Sequence, residues 1–478
     1  MPFPEPPMAT DYDTIILGAG TAGLAALREV RKRTDSFLLV NDGPYGTTCA
    51  RVGCMPSKVF IEAANAFAAR KRLGEFGVSG ADQLAVDIPA VLARVRKLRD
   101  YYVSGVLKAT EDLGERNLAG RGRLLGPDRV AVGDREFSAR RIILATGSRP
   151  VLPGPWAALG DRVFTTDSLF ERADLPRRIA VIGLGAIGVE MAQAMARLGI
   201  QVSAFSSSDR LAGLHDEKVN ATLRALLDQE FAIHTGHEVE LEAAGDGVRV
   251  RAGKTRVEVD AVLAAIGRRP NLDDVGLETL GVELNEKGLP PFEPGLLRIG
   301  DTPVFIAGDV NTHAPILHEA ADEGFIAGRN AMADEPICYQ RRTPLGVVFS
   351  DPVSAHVGQR RSDLPDDTVV GEVDFSRQGR ARAAQKNEGL LRVYAAHDTG
   401  CLLGAELCTP SGDHLGHLLA LAVDQKLTVF DLLRMPIYHP VLEEGLRTAL
   451  RDAGKQVDDS PDRSDLANCP AMGTEALD

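Results

Sequence analysis

Two cysteines stand close together near the start of the chain, in the stretch GTTCARVGCMPSK. Cys49 and Cys54 are separated by four residues, and Gly53 permits a bend between them. In a reducing compartment, a close cysteine pair is more often catalytic or metal-binding than structural. Catalytic use of the pair is one interpretation. Half of a zinc site and two unpaired core thiols are the alternatives, and no second ligand pair stands at a spacing that would complete a zinc site.

A second candidate lies at the other end of the chain, in HPVLEE, residues 439–444. Pro440 suits the first position of a helix, which would put His439 at the helix mouth and Glu444 about one turn later. A histidine beside a carboxylate is a candidate general base, because the carboxylate fixes the tautomer and stabilises the imidazolium. A histidine with a purely structural role is the alternative.

Two glycine-rich turns are the elements that would position a nucleotide. Residues 13–23 read DTIILGAGTAG, and residues 178–190 read RIAVIGLGAIGVE. Each has a short apolar strand, then Gly-x-Gly-x-x-Gly, then helical periodicity, and each is followed by another strand. This arrangement suits a pyrophosphate, since the helix N-terminus offers free N–H groups to an anion. A turn without a ligand is the alternative. The glycines are Gly18, Gly20 and Gly23 in the first turn, and Gly183, Gly185 and Gly188 in the second.

Three more stretches place a polar turn after a predicted strand. RRIILATGSRP carries Gly147, AVLAAIGRRPN carries Gly267, and TPVFIAGDV carries Asp309. Each of the first two segments could close one nucleotide-binding half. A carboxylate at the end of a buried strand can hold a ribitol or ribose hydroxyl, and an ordinary turn aspartate is the alternative for Asp309. The segment TGCLLGAELCTP predicts a strand in which Cys401 and Cys408 are buried.

Composition excludes several classes of function. The chain has 478 residues, and its 44% hydrophobic and 25% charged content is typical of a soluble globular protein. No apolar run approaches the roughly 18 residues that span a bilayer, and the first residues do not resemble a signal peptide. We therefore expect a cytoplasmic protein with no membrane partner. The net charge of −13, without a basic run, argues against nucleic-acid binding.

Together these motifs resemble the flavin-dependent pyridine nucleotide–disulfide oxidoreductases, a family that includes dihydrolipoyl dehydrogenase, glutathione reductase and mercuric reductase. The cysteine stretch is close to the family pattern GGTCxNxGCxPSK, and HPVLEE is close to HPTxxE. The resemblance implies an α/β fold with two Rossmann-like dinucleotide-binding domains, for FAD and NAD(P), and a C-terminal α+β interface domain that forms a homodimer. The implied boundaries are 1–150 and 276–342 for FAD, 151–275 for NAD(P) and 343–455 for the interface. Residues 456–478, which include Cys469, are expected to be a disordered tail.

The resemblance also implies roles for single residues. Cys49 and Cys54 would form a redox-active disulfide beside the flavin, and His439 with Glu444 would act on the pair of the partner subunit. Lys58 would pair with Glu190 near the flavin, although a surface lysine is the alternative. The implied FAD contacts are Gly18, Gly20, Gly23, Asn41, Lys58, Gly147 and Asp309; the implied nicotinamide-cofactor contacts are Gly183, Gly185, Gly188, Ser206 and Gly267. No metal ligand is implied.

The sequence departs from the family pattern at three positions. Asn41 stands where relatives hold a glutamate for the FAD ribose, Ser206 where an acid would bind the ribose of NAD, and Ile437 where many dihydrolipoyl dehydrogenases have another histidine. We predict oxidation of dihydrolipoyl groups, free or on a lipoyl-bearing protein, with NAD⁺. NADP remains possible, because three serines are followed by Arg210. The alternatives are an NADPH-dependent reductase of a disulfide or metal ion, and a flavoprotein retained for binding.

Overall fold

The computed structural model describes residues 11–458 and Leu466. The expected tail, with Cys469, lies outside the described residues except at 456–458 and Leu466. The chain divides into two units. Unit 1 comprises the described residues within 1–60, 87–175 and 266–341, and unit 2 comprises those within 61–86, 176–265 and 342–478.

The strands follow one another along the chain as follows: β1 (Tyr12–Leu17), β2 (Phe37–Asn41), β3 (Asn117–Ala119), β4 (Gly122–Gly126), β5 (Arg129–Val132), β6 (Arg135–Leu144), β7 (Ser148–Pro150), β8 (Val163–Phe164), β9 (Arg178–Ile182), β10 (Gln201–Ser206), β11 (Ala232–Thr235), β12 (Val239–Ala244), β13 (Gly247–Ala252), β14 (Thr255–Val259), β15 (Ala261–Ala264), β16 (Arg268–Pro270), β17 (Val304–Ile306), β18 (Leu345–Val348), β19 (Val353–Gly358), β20 (Val369–Asp374), β21 (Leu390–Ala395) and β22 (Leu402–Thr409).

The α-helices are α1 (Thr21–Val30), α2 (Thr48–Val52), α3 (Cys54–Ala68), α4 (Ile88–Glu111), α5 (Gly154–Ala157), α6 (Thr166–Leu169), α7 (Ala186–Arg197), α8 (Glu217–Leu227), α9 (Leu317–Ala331), α10 (Gly379–Ala383), α11 (Gly412–Asp424), α12 (Val429–Leu433) and α13 (Glu443–Gly454).

The main sheet of unit 1 has the strand order β3-β2-β1-β6-β5-β4, with β17 also paired to β6. The strands β3, β2, β1, β6 and β17 are parallel. Ile15 of β1 lies opposite Leu38 of β2 and Ile142 of β6, and all three side chains are buried. Such continuous apolar runs are expected of parallel strands covered on both faces. The carboxyl ends of β1, β6 and β17 meet at one edge of the sheet, and the turns that follow them form the first candidate site.

The parallel part of unit 2 repeats this arrangement in the order β11-β10-β9-β15. Val181 of β9 lies opposite Ala204 of β10 and Leu263 of β15. Helix α7 follows β9 directly after the second glycine turn. The antiparallel strands β12, β13 and β14 form a separate small sheet in the same unit. The sequence therefore predicted both strand–turn–helix units correctly.

The C-terminal part of unit 2 is an antiparallel sheet in the order β18-β19-β22-β21-β20. One face packs on α11 and α13 through a core that includes Val393, Leu407 and Leu446. Within the sheet, Cys408 is fully buried, as predicted. Cys401 is only half-buried, so that prediction was wrong. The reason is that Cys401 precedes β22 and forms an isolated bridge with Thr428.

The other face of this sheet carries a row of ionisable side chains. His356 of β19 lies opposite Glu406 of β22, which in turn lies opposite Arg392 of β21. Burial, and then the charges of Arg360 and His215, lower the pKa of His356 from 6.5 to about 4. The folded chain therefore holds this histidine neutral at pH values where an unfolded chain would protonate it.

This pKa shift predicts acid sensitivity. Between about pH 6.5 and pH 4 the unfolded chain binds the extra proton, so the free energy of unfolding rises with pH and is lost as pH falls through that window. Urea unfolding should show that His356→Gln loses less stability than the parent between pH 7 and pH 5, by about 1–2 kcal/mol. His414→Gln, a change at an exposed histidine, serves as the control. An equal loss in the His356 variant and the parent would contradict the prediction.

Candidate functional site

The cysteine pair lies where two helices meet in unit 1. Cys49 is in the five-residue helix α2, and Cys54 is the first residue of α3. Gly53 separates the helices, and the Thr47 hydroxyl caps α2 by accepting the amide proton of Ala50 at 3.2 Å. The short helix and the break after it bring the two side chains together. Both cysteines are free thiols, Cys49 half-buried and Cys54 exposed.

The electrostatics of the pair favour different roles for the two sulfurs. The hydrogen bond with the Cys54 thiol, together with burial, raises the pKa of the Cys49 thiol, and the positive charge of Lys58 opposes that rise. Cys54 stands at the N-terminus of α3, where the helix dipole favours negative charge. Lys58 lies one turn further along the same helix. A thiolate formed in this pair therefore has two sources of stabilisation beside it.

The first glycine turn has the geometry of a phosphate cradle. A Cβ atom on Gly23 would lie 1.8 Å from the carbonyl oxygen of Gly18, so α1 can start this close to the turn only with glycine there. A Cβ atom on Gly20 would meet no protein atom within 4 Å. Gly20 precedes α1 and supplies no side-chain cap. The first turn of α1 thus presents its N–H groups to open space, which fits the close approach of a pyrophosphate.

Asn41 serves this cradle from the end of β2. Its amide oxygen accepts the N–H of Ala19 at 3.0 Å, and its Nδ2 donates to the carbonyl of Gly43 at 3.0 Å. The side chain fastens the glycine turn to the neighbouring strand. Its expected contact with an FAD ribose stays a prediction.

Asp309 lies at the same edge of the sheet, directly after β17. Its Oδ2 accepts the hydroxyl proton of Ser148 at 2.7 Å. Gly147, between β6 and Ser148, has a φ of +69°, and a Cβ atom there would meet nothing within 4 Å. The turns after β1, β6 and β17 therefore bring together the residues that the sequence assigned to a dinucleotide, and they leave room beside them.

The second glycine turn has the same construction in unit 2. A Cβ atom on Gly188 would lie 1.7 Å from the carbonyl oxygen of Gly183, whereas one on Gly185 would meet nothing within 4 Å. Gly267, after β15, has a φ of +108° and is equally open. The two halves thus share one design, and each fits a dinucleotide.

The end of β10 carries hydroxyl groups. Ser206 is buried, and its Oγ accepts the N–H of Ser208 at 3.2 Å. Ser208 in turn accepts the N–H of Arg210 at 3.1 Å. The Arg210 guanidinium is exposed, with Nη1 3.3 Å from Nδ1 of His215. This loop can present both hydroxyl groups and a cation to the ribose of a bound nucleotide.

Glu190 lies on α7, two residues after Gly188, and is buried. Its Oε1 accepts the N–H of Phe349 at 3.0 Å. The same helix ends at Arg197, which binds Glu230 at 2.7 Å and Asp351 at 2.8 Å. Helix α7 is thereby fixed to the segment just after β18. The predicted pairing of Glu190 with Lys58 stays a prediction.

His439 and Glu444 form the expected pair. Nδ1 of His439 lies 3.1 Å from both carboxylate oxygens of Glu444, and the ring is 82% exposed. This hydrogen bond lowers the pKa of Glu444. With Nδ1–H donating to the carboxylate, Nε2 is left as the proton acceptor that a general base needs. Helix α13 begins at Glu443 rather than at Pro440, so that boundary prediction was wrong. The Glu444 side chain instead accepts the N–H of Val441 at 3.3 Å, which organises the turn before the helix.

Several residues of these sites were missed from the sequence. Ser148 donates to Asp309, and Arg268 donates to Ser148 across the antiparallel pair β7–β16. Glu323, fully buried on α9, accepts the N–H of Gly308 at 2.6 Å and the Nδ2 of Asn311 at 2.7 Å. The signal for Glu323 in the sequence was a second acid, one turn after Glu319, on a helix face that also carries Ala320, Gly324 and Ala327. The partners of Ser148 and Arg268 depend on strand pairing over more than 100 residues, which no local pattern reveals.

Two family models match the chain. A model described as pyridine nucleotide-disulphide oxidoreductase matches residues 12–324, and that family's dimerisation domain matches residues 345–450. The chain belongs to the pyridine nucleotide-disulphide oxidoreductases. The resemblance inferred from the motifs and the expected fold class are therefore confirmed. The family uses FAD and a pyridine nucleotide, and the second match supports a homodimer.

Relatives of this oxidoreductase span nearly its full length. Dihydrolipoyl dehydrogenase of Thermus scotoductus is 31% identical over 458 residues, 93% of this chain and 98% of the relative. The enzyme of the same name from Geobacillus stearothermophilus is 28% identical, and the match covers 91% of this chain and 95% of the relative. Among solved structures, LpdA from Mycobacterium tuberculosis superimposes with a TM-score of 0.79 at 24% identity, covering 92% and 99%. The flavoprotein disulfide reductase RclA from Escherichia coli superimposes with a TM-score of 0.80 at 22% identity, and the match covers 92% of this chain and 99% of RclA. These two structures bear on the fold.

Two features are absent from the described residues. None of the helices within residues 11–458 is both long and apolar enough to cross a membrane. Within the same part of the oxidoreductase, no group of three or more His, Cys, Asp and Glu side chains could hold a metal ion. The residue roles and domain boundaries derived from the resemblance remain predictions.

Proposed function

We propose that this flavoprotein oxidises dihydrolipoyl groups with NAD⁺. The observation that carries the proposal is the hydrogen-bonded pair Cys49 and Cys54, at the head of α3 in the same unit as the first glycine turn. The relatives named dihydrolipoyl dehydrogenase, which match nearly end to end, support the choice of substrate. Under this proposal FAD is held by the turns that contain Gly20 and Asp309, and the nicotinamide cofactor by the turn that contains Gly185.

The first half of the reaction is a thiol–disulfide exchange. Nε2 of His439 of the partner subunit takes the proton from one substrate thiol, because the thiolate is the nucleophile. The thiolate attacks Sγ of Cys49 in the Cys49–Cys54 disulfide, a substrate–Cys49 bond forms, and Cys54 leaves as a thiolate. The second substrate thiol then closes the substrate disulfide and releases Cys49. Two electrons have passed from the substrate to the cysteine pair.

The protein then supports the return of the pair to the disulfide. FAD, when bound, supplies a two-electron carrier between the cysteine pair and NAD⁺. The hydrogen bond with Cys54 and burial raise the pKa of Cys49, and the positive charge of Lys58 opposes that rise and so favours a thiolate in the pair. Glu444 holds His439 through Nδ1 and stabilises the imidazolium until its proton is returned.

A second candidate function is the reduction of a disulfide or metal ion with NADPH. The observation that favours it is the end of β10, where Ser206 occupies the place of an acid and the exposed cation of Arg210 follows. A hydroxyl-rich loop with an arginine suits a 2′-phosphate as well as a ribose hydroxyl. The solved neighbour RclA is described as a disulfide reductase crystallised as a Cu(II) complex, but its 22% identity supports only the fold.

Steady-state kinetics of the purified protein distinguish the two candidates. We expect a yellow protein that reduces NAD⁺ with dihydrolipoamide, with kcat/KM for NAD⁺ roughly tenfold or more above that for NADP⁺. Arg210→Gln should leave the NAD⁺ reaction unchanged. A preference for NADPH with glutathione disulfide or a metal ion as acceptor, lost in the Arg210 variant, would establish the second candidate instead.

A further inference from the structure

We propose that Ser148 and Arg268 are positioning residues of the flavin site, which fix the Asp309 carboxylate so that its second oxygen accepts a hydroxyl of the FAD ribityl chain. The inference rests on the proposed placement of FAD beside Asp309. It extends that proposal by naming two side chains that act on the ligand only through another residue.

The three side chains form a chain of hydrogen bonds within unit 1. Ser148 Oγ lies 2.7 Å from Asp309 Oδ2, and Arg268 Nε lies 2.9 Å from the same Ser148 Oγ. Arg268 also holds the backbone of Ser148, since its Nη2 lies 2.7 Å from that carbonyl oxygen. The arginine side chain is 21% exposed, so the contacts form away from bulk water.

The direction of each bond follows from the donors available. A guanidinium can only donate, so Arg268 occupies a lone pair of the Ser148 hydroxyl. The single hydroxyl proton of Ser148 is therefore directed to Asp309 Oδ2. A serine without the arginine could rotate its proton elsewhere, whereas here the arginine fixes it. Asp309 is thereby held as an acceptor, through a bond of the stronger charge-assisted kind.

The remaining oxygen of Asp309 is left for a ligand. No residue in the described part of the chain hydrogen bonds to Oδ1 of Asp309. The turn that carries Ser148 is open at Gly147, where a Cβ atom would meet nothing within 4 Å. A carboxylate oxygen accepts, so a ligand that binds Oδ1 does so through a hydroxyl or N–H group. The ribityl hydroxyls of a flavin belong to that class.

The backbone of the Asp309 turn is held separately. Glu323 Oε2 accepts the N–H of Gly308 at 2.6 Å, and Oε1 accepts from Arg341 at 3.1 Å. The turn thus keeps its place without Ser148, and loss of the serine hydroxyl should free only the carboxylate. The role of Ser148 and Arg268 can therefore be tested without unfolding the site.

The test is the dissociation constant of FAD from the apoprotein, measured by quenching of flavin fluorescence. Ser148→Ala should raise it about 10- to 100-fold, while Ser148→Thr, which keeps the hydroxyl, should stay within about threefold of the parent. Arg268→Leu should raise it by less than Ser148→Ala. The loss in the double variant should be smaller than the two single losses combined, since Arg268 acts on Asp309 through Ser148. Arg269→Leu, at the exposed neighbour on β16, is the matched control.

Three results would overturn the inference. One is an unchanged FAD dissociation constant in Ser148→Ala while Asp309→Ala loses FAD. That result would support the FAD site but not the positioning role of Ser148. Another is full additivity of the two substitutions, which would mean that Arg268 does not act through Ser148. The third is a parent apoprotein that binds no FAD, which would contradict both the FAD site and the positioning role of Ser148 and Arg268. Thermal unfolding of each apoprotein shows whether a variant has lost its fold.

Discussion

Serine in place of either Cys49 or Cys54 is expected to reduce the oxidation of dihydrolipoamide roughly 1,000-fold or more. Each sulfur has its own part in the exchange: one forms the bond to the substrate and the other is the leaving group. An alcohol can do neither at neutral pH. The hydrogen bond between the two thiols shows that they are close enough to act as one redox unit.

The cysteine variants should keep FAD binding and electron transfer from NADH. Both glycine turns lie outside the cysteine stretch, so the variants should retain FAD and still pass electrons from NADH to ferricyanide at the parent rate. Cys338→Ser, a change at an exposed cysteine elsewhere in the chain, is the matched control and should leave all rates unchanged. A rate of dihydrolipoamide oxidation within about tenfold of the parent rate, in either the Cys49 or the Cys54 variant, would contradict the proposed chemistry.

Glutamine in place of His439 should lower kcat/KM for dihydrolipoamide by roughly 100- to 10,000-fold, the usual range for loss of a positioned general base. The spectrum of the flavin and the reduction of ferricyanide by NADH should not change. Glu444→Gln should give a smaller loss, because the neutral amide can still hold Nδ1 of His439 but no longer stabilises its charged form. His414→Gln, also in the C-terminal part of unit 2, should behave as the parent.

Mixed dimers decide whether the base serves its own subunit or the partner. Co-expression of a Cys49→Ser chain with a His439→Gln chain, carrying different affinity tags, yields a dimer with one copy of each. If the base acts across the dimer, one active site retains both groups, and about half of the parent activity should return. If the base acts within its own chain, neither active site is complete. The mixed dimer should then be as inactive as the dimers of either variant alone. The second outcome would contradict the proposed mechanism.

Much of the fold could be predicted because its signals are local. The two Gly-x-Gly-x-x-Gly turns reveal themselves through residues that lie within ten positions of one another. The spacing follows from packing a helix against its own preceding turn, as the 1.8 Å clash at Gly23 and the 1.7 Å clash at Gly188 show. The antiparallel pairing of β18 with β19 is also local, since a short turn joins the two strands.

Predictions failed where a local rule met a competing contact. Pro440 has the properties of a helix start, yet α13 begins at Glu443, because Glu444 folds back to the residues before it and binds both His439 and the N–H of Val441. Cys401 stands in an apolar run, yet it lies outside β22 because the chain pairs there with Thr428 instead. In both places contacts with other residues outweigh the local preference.

The sequence by itself determined the two nucleotide-binding halves, the close cysteine pair and the histidine–carboxylate pair, because each depends on residues a few positions apart. Only the tertiary structure decided what surrounds them. Asp309 meets Ser148 across 161 positions, and Arg268 reaches that serine across 120. Such contacts are set by which strand ends share an edge of a sheet, and that depends on how the whole chain packs. For that reason the sequence could predict candidate reacting groups, whereas the hydrogen-bond partners of Ser148 required the folded chain.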